Sequence, residues 1–583
     1  MLTLYLIVVG GLAVYGINCY VLRWFCVRAL PAQLARSRAI VQAYRDRAED
    51  GDSGRETLPV VTVQLPVFNE RYVVGRLIQA VAQLDWPHDK LDIQVLDDST
   101  DDTRDIARQL VEHHAARGLP IRLLQRDHRD GYKAGALQAG LATARGEFVA
   151  IFDADFMPEP DFLWRTVPLL MADERVAMVQ ARWGHVNDGH SLLTRMQAVA
   201  IDGHFGIEQG GRLWSGALMN FNGTCGVWRI AAIADAGGWQ HDTLTEDLDL
   251  SYRAQLAGWR MEYAPDVEVP GEIPSSMAAF RSQQRRWAKG SIQTMRKLWR
   301  RVLLARQPLY VKAQALLHIS HYLIHPLMLL MAALAWPMLR VWDETPVARD
   351  VFVVMIIVAL TSTFGPSAMY LAGQRALRRQ WLRRMMMLPV LIVVGMGIAV
   401  SNSRAVLEAM LGIRSGFVRT PKDNGAARAS RYRLPMDWTL LAELALTVWC
   451  ACSLVAYLRA GRALFAPYLL AFTLGFATMS LAGMRDLLRR WRQRGVKAAE
   501  PAVDIDVVSR SVAEWQAAHA GWRPADSVLM TMPSSSRVPA HEPPIGGDNT
   551  VPQPVATAPQ QMMGLFPSER NKSRDRQGAD VPV

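Results

Sequence analysis

Apolar residues along this chain fall into two regimes. At both ends they form unbroken runs, while across the middle short apolar runs alternate with stretches in which they recur at helical spacing. The opening run, "MLTLYLIVVGGLAVYGINCYVLRWF", is long enough to cross a bilayer core of about 30 Å at about 1.5 Å per residue. It lacks the basic start and small-residue cleavage site of a signal peptide, so it reads as a retained anchor. Further spans are expected near residues 314–340, 351–372, 438–458 and 464–484. A sixth apolar stretch, "MMMLPVLIVVGMGIAV" at 385–400, is short and carries Pro389. It reads as an interfacial or re-entrant segment.

Between the first two spans the pattern is strand then helix, repeated. "PVVTVQLPVF", "DIQVLDDS", "IRLLQRD" and "EFVAIFDAD" read as strands, being rich in β-branched residues or bounded by turn residues. "ERYVVGRLIQAVAQL", behind Asn69 as N-cap, and "TRDIARQLVEHHAA" read as helices. This alternation implies a mostly parallel sheet covered by helices, with ligands bound outside the carboxyl ends of the strands. Two acidic pairs sit at such ends, Asp97 with Asp98 and Asp153 with Asp155. "TLTEDLDLSYRAQLAG" predicts a helix with Thr245 as N-cap, Glu246 and Asp247 in its first turn, and Gly258 beyond its end. "RSQQRRWAKGSIQTMRKLWRR" predicts a basic amphipathic helix at a membrane surface. No repeat or heptad run occurs. From about residue 495 the chain is rich in Pro, Ser, Ala and Gly and reads as a largely disordered tail.

Charge supplies the orientation. The chain has 583 residues and a net charge of +11, with a mean hydropathy of +0.04 that is high for a soluble enzyme. No DNA-reading motif accompanies the positive charge, which excludes nucleic acid as a partner and leaves the membrane flank. Arg23, Arg28, Arg36 and Arg38 follow the first span, Arg375, Arg378, Arg379, Arg383 and Arg384 the third, and Arg485, Arg489, Arg490, Arg492 and Arg494 the last, whereas "VWDETPVARD" is acidic on balance. The positive-inside rule then puts residues 24–312 and the C-terminus in the cytoplasm and the N-terminus outside, with five crossings. Five cysteines without metal-ligand spacing indicate neither a disulfide framework nor a structural metal site.

Two carboxylates as near as Asp153 and Asp155 repel unless a cation joins them, and hard oxygen ligands at a strand end suit Mg²⁺ or Mn²⁺ held against a diphosphate. An acidic pair after a strand is also an ordinary solvated turn. Acids in a helix's first turn likewise complement its dipole without any catalytic part.

Read in order, "LDDS", "FDADF", "TED" and "QQRRW", with flanking spans, resemble the processive inverting glycosyltransferases of family 2, the group of cellulose, mannan, chitin and hyaluronan synthases, over residues 58–485. "HRDGYKAGAL", "FNGTCGVWR" and "GFVRTPKD" look most like the cellulose-synthase-like glucomannan synthases. The resemblance implies an α/β, Rossmann-like, GT-A type nucleotide-sugar-binding domain embedded in an α-helical transmembrane bundle. In that layout 1–27 is the anchor, 28–57 a linker, 58–275 the cytoplasmic transferase domain and 276–312 interfacial helices carrying Gln-x-x-Arg-Trp. Two transmembrane helices at 313–372, an interfacial segment and gating loop at 373–437, two more transmembrane helices at 438–484 and the tail at 495–583 complete it.

By the same resemblance, Asp98 with Asp97 holds the base and ribose side of the nucleotide, Lys133 approaches the nucleotide sugar, Asp153 binds the donor and Asp155 the divalent metal, Mg²⁺ or Mn²⁺. Asp247 is the general base beside Glu246; Gln283 and Arg286 sit near acceptor and diphosphate, and Trp287 stacks on the terminal sugar. Thr420 and Lys422 belong to the gating loop, for which a plain basic membrane-proximal loop is the alternative. The implied function is polymerisation of hexose from UDP-glucose or GDP-mannose into a β-linked glucan, mannan or glucomannan that is exported through the cell membrane. Alternatives are a polyprenyl-phosphate sugar transferase and a non-catalytic membrane transport or scaffold protein. No cyclic di-GMP-sensing barrel pattern follows the last span. His318, His321 and His325 share a helical face in a span, where pore lining and interhelical hydrogen bonding both fit. Cys225 reads as a small buried thiol.

Overall fold

The computed structural model describes residues 1–49, 56–344, 346–378, 380–413 and 438–493. The valine-rich runs fold into one seven-stranded sheet: β1 Val61–Val67, β2 Leu91–Asp97, β3 Ile121–Gln125, β4 Phe148–Ile151, β5 Val176–His185, β6 Gly226–Arg229 and β7 Arg260–Gly271. Their order is β3-β2-β1-β4-β6-β5-β7, and β6 alone runs antiparallel to its neighbours. Helices cover both faces, so β1, β2 and β4 are buried almost throughout, as parallel strands require. The polar residues inside β1 pair across the sheet: Thr62 Oγ1 donates to Asp92 at 3.0 Å and Gln64 to Gln94 at 3.1 Å. Both pairs lie in register. A one-residue slip would leave these groups buried and unpaired, so polar matching and apolar burial select the same register.

The helix expected behind Asn69 starts later, as Val74–Val81, and Asn69 is not its N-cap. Asn69 instead sits at φ 54°, its N–H donating to Ser99 Oγ at 2.9 Å and its side-chain oxygen accepting from Thr100 N at 2.8 Å. An asparagine that tolerates the left-handed region here ties the ends of β1 and β2 together.

The N-terminal apolar run forms a single helix, Leu2–Glu49. Residues 28–49, expected as part of a linker, continue it past Pro31. Its far half lies along the α/β domain, with Arg36 bonded to Glu262 at 2.8 Å and Arg38 near Asp266 at 3.5 Å. Its apolar half crosses the helix Pro346–Leu377 closely: a Cβ on Gly16 would lie 2.2 Å from Ser362 O, and one on Gly365 2.0 Å from Gly16 O. Small residues at such a crossing let two backbones pack without a hydrophobic drive from water.

Four stretches among the described residues, Leu2–Glu49, Leu309–Val341, Thr439–Arg459 and Ala463–Leu488, are long and apolar enough to cross a membrane. The short segment belongs to a helix pair, Trp381–Gly397 followed by Ala399–Met410, that is apolar enough only when taken together and is bent by 44°, the geometry of a broken span or of a re-entrant segment. The chain leaves regular α-helix between Leu309–Ser320 and Ile324–Glu344, and the rings of His318 and His321 stack across that break, 6.4 Å between centroids. His318 meets the Tyr252 hydroxyl at 2.8 Å and His325 meets Asn402 at 2.9 Å. Hydrogen bonding between elements accounts for both.

Candidate active site

Strand ends and two helices converge on one cleft. β2 hands over to Asp98, β4 to Asp153 and Asp155, the helix Tyr132–Leu141 supplies Lys133, the helix Glu246–Leu256 supplies Glu246 and Asp247, and the helix Met277–Leu304 supplies Gln283, Arg286 and Trp287. All nine line the cleft.

Asp97 does not. Its carboxylate accepts from Ser99 N at 2.9 Å and from Gln125 Nε2 at 3.1 Å, and at the last position of β2 it is almost fully buried. Strand alternation explains the split, because consecutive residues face opposite ways and only one of an Asp-Asp pair can face the cleft. Asp98 takes a bidentate bond from Arg126, at 2.9 and 2.5 Å. Arg129 lies over the Phe68 ring, 3.3 Å from its centroid. Both arginines and Phe68 escaped the sequence reading, although "HRDGYKAG" contains Arg129.

Opposite Asp98, Lys133 Nζ lies 2.5 Å from Asp153 Oδ1 and donates to Gly223 O at 2.6 Å. Burial works against the ammonium, but Asp153, Glu246 and Asp247 outweigh it and hold Lys133 above the usual lysine range. Asp153 N donates to Thr224 Oγ1 at 2.9 Å, so β6, entering antiparallel, fixes the acidic loop. Asp155 is buried. Among the described residues no three His, Cys, Asp or Glu side chains gather as a metal cluster, and the two carboxylates of this loop are its contribution to any cation.

Thr245 occupies the N-cap position of its helix, but its hydroxyl is turned to Thr294, 3.3 Å away. Asp247 bonds the helix itself, Oδ1 accepting from Leu248 N at 2.8 Å. Burial, reinforced by the neighbouring Glu246, pushes its carboxyl up to about 7. Burial raises Glu246 too, against the pull of Lys133. A carboxyl near neutrality can lose and regain a proton under ordinary conditions.

Two glycines set the approach distances. Gly223, at φ +85°, faces Asp247: a Cβ there would lie 2.9 Å from Asp247 Oδ2. Gly290 lets the Gln-x-x-Arg-Trp helix press on the start of the Glu246 helix, where a Cβ would lie 2.5 Å from Thr245 Cγ2. The other arginine of "QQRRW" serves elsewhere: Arg285 bonds Glu408 at 2.7 Å beside Lys289 at 3.0 Å, and Arg281 bonds the buried Glu443 at 2.6 Å. Thr420 and Lys422 lie outside the described residues. Cys225 is buried, as expected, at φ 59°.

Residues 59–290 match the model of the glycosyltransferase-like family 2. This domain belongs to that family. Its relatives include glucomannan 4-beta-mannosyltransferase 2 of Arabidopsis thaliana, 49% identical over 257 residues, covering 43% of this chain and 48% of the relative. Another is glucomannan 4-beta-mannosyltransferase 1 of Oryza sativa subsp. japonica, 47% identical over 254 residues, covering 43% and 49%. The chain thus spans about half the length of the curated relatives it matches. Among solved structures, the mannosyltransferase PcManGT from Pyrobaculum calidifontis, in complex with GDP-Man and Mn²⁺, superposes loosely: TM-score 0.41, 20% identity, 67% of this chain and all of that one. In the family 2 domain, the cleft gathers the acids of "LDDS", "FDAD" and "TED" with the helix of "QQRRW".

Proposed function

We propose that this chain is a membrane-embedded, processive, inverting glycosyltransferase that adds mannose from a nucleotide sugar to the end of a β-linked mannan or glucomannan and passes the product across the bilayer. The observation that carries the reading is the meeting, in one cleft, of a buried near-neutral carboxyl, Asp247, with Lys133, Asp153, Asp155, Arg286 and Trp287. The plant relatives, glucomannan 4-beta-mannosyltransferases by name, support mannose and a 4-β linkage.

Asp247 takes the proton of the acceptor hydroxyl as that oxygen attacks the anomeric carbon. The nucleoside diphosphate departs from the opposite face, so one displacement inverts the configuration. Lys133 and Arg286 meet the negative charge that grows on it. Asp153 and Asp155 suit a divalent cation, since Mg²⁺ and Mn²⁺ commonly take one or two carboxylates and complete their shell with phosphate oxygens and water. Such an ion would neutralise the leaving diphosphate. Asp98 and Phe68 take the base side of the nucleotide, and Trp287 offers an aromatic face to the terminal sugar. In the bilayer, the positive-inside rule puts this domain in the cytoplasm and the N-terminus outside.

The test is radiolabel incorporation from GDP-mannose and from UDP-glucose, each with Mg²⁺, into ethanol-insoluble product by membranes carrying this chain or its Asp247→Asn form. Incorporation from GDP-mannose that vanishes in the variant is expected. Label that partitions into organic solvent would instead mark a polyprenyl-phosphate sugar transferase. Equal incorporation by both proteins would sink the role of Asp247.

A further inference from the structure

One wall of the cleft takes no part in this chemistry. The carboxyl end of β5 brings Trp183 and His185 to it. The Trp183 ring leans between Phe156 and Phe205, at centroid distances of 5.1 and 5.2 Å, so its plane is fixed. His185 is buried, and its Nε2 lies 2.9 Å from Asp202 Oδ1, on the helix Leu192–Gly203. Asp202 is itself gripped: Arg378 reaches it at 3.1 and 3.2 Å, Gln374 at 2.9 Å and Arg384 at 3.4 Å.

Burial works against the Asp202 charge, but Arg378, His185 and Arg384 outweigh it and hold the carboxyl well below the usual range. An ionised carboxylate can only accept, so in the neutral ring Nε2 carries the hydrogen and Nδ1 the lone pair. Among the described residues neither His185 Nδ1 nor Trp183 Nε1 has a hydrogen-bond partner, although both atoms are buried. Buried polar atoms normally find partners, and two orphans on one cleft wall point to a ligand. The pair comprises a flat indole, one acceptor and one donor. A sugar unit matches all three, because its C–H face packs on an aromatic ring while its hydroxyls both give and take hydrogen bonds. A diphosphate does not, since its oxygens would face the Nδ1 lone pair.

We infer that Trp183 and His185 form a saccharide subsite on the β5 wall, where Trp183 packs against a sugar unit of the acceptor chain and His185 Nδ1 accepts one of its hydroxyl hydrogens. Asp202 is the positioning residue that fixes the tautomer. This inference rests on the reading of the cleft as that of a β-mannan synthase.

The test is calorimetric binding of β-1,4-linked mannohexaose, and separately of GDP, to the full chain in lipid nanodiscs, for wild type, His185→Phe and Trp183→Phe. Phenylalanine keeps an aromatic ring at both positions; at 183 it removes Nε1 and shortens the indole, and at 185 it removes Nδ1 together with the Nε2 bond to Asp202, so unchanged GDP binding is the control for the loss of that bond. Loss of one such hydrogen bond should weaken hexaose binding about tenfold in His185→Phe, with a smaller loss in Trp183→Phe and unchanged GDP binding in both. Hexaose binding equal to wild type in both variants would overturn the subsite. So would a joint loss of hexaose and GDP, which would mark a structural role. A wild type that incorporates mannose yet binds no hexaose removes the subsite and leaves the function standing. A wild type that binds hexaose but transfers from neither donor removes the function and leaves the subsite.

Discussion

Asp247 is costly to the fold in its ionised form. A carboxyl raised to about 7 contributes stability that is fully present below its ordinary range and is lost as pH climbs through 7. Turnover runs the other way, because the base must be ionised. Activity should therefore rise with pH through about 7 to a plateau, read from initial rates at saturating donor. Glu246→Gln removes the charge that reinforces burial, so the acid limb should move to lower pH; an unmoved limb would show that Glu246 does not set it. Asp247→Asn should abolish transfer while its melting temperature falls less than that of wild type between pH 5 and 9. These acids were legible in "TED" and "FDAD" through the order of motifs shared with the family, since by themselves carboxylates at helix starts and strand ends read equally as dipole partners or solvated turns. The split between Asp97 and Asp98 was not, since which of two adjacent acids faces the cleft depends on where β2 ends. Arg129 over Phe68 joins residues far apart in the chain, a contact no local pattern encodes.

Between elements, the decisive distances are backbone approaches. Gly290→Ala places a methyl group against Thr245 and would push the Gln-x-x-Arg-Trp helix off the Asp247 helix. The expected result is a loss of about 1–3 kcal/mol of stability together with a drop in transfer greater than any loss of GDP binding, measured on the same preparation. Glu443 is buried against Arg281, and Glu443→Ala, which strands that arginine, should cost about 3–5 kcal/mol, seen as a lower melting temperature in detergent. The alternation of strands and helices was legible from β1 to β4, where buried parallel strands are continuous apolar runs. β6 was not, because four residues between turns carry too little pattern to separate strand from loop, and Asn69 was misread because an Asn before an apolar run signals a turn as readily as a helix start.

At the scale of the whole molecule, parity is the testable quantity. If the N-terminus is outside and the catalytic domain inside, an N-terminal tag should be accessible on intact spheroplasts, while cysteines placed on the α/β domain should react only after lysis; the reverse pattern would invert the topology. Apolar run length made the long apolar helices legible, but the reach of the first helix beyond its apolar half was not, because residues 28–49 are polar enough to read as a connector until the surface they lie against is known. That helix has 48 residues, about 72 Å at the usual rise, with one half among apolar helices and the other bonded to β7. A rod so anchored is a lever: a change in lipid acyl length that tilts it by about 5° would swing its far end by about 6 Å. Pro31 lies between the two halves and, lacking an N–H, is the softest point of the rod. A tilt taken up by bending there would not reach the cleft, so Pro31→Ala should make transfer depend more steeply on acyl-chain length in reconstituted bilayers than it does in the native chain.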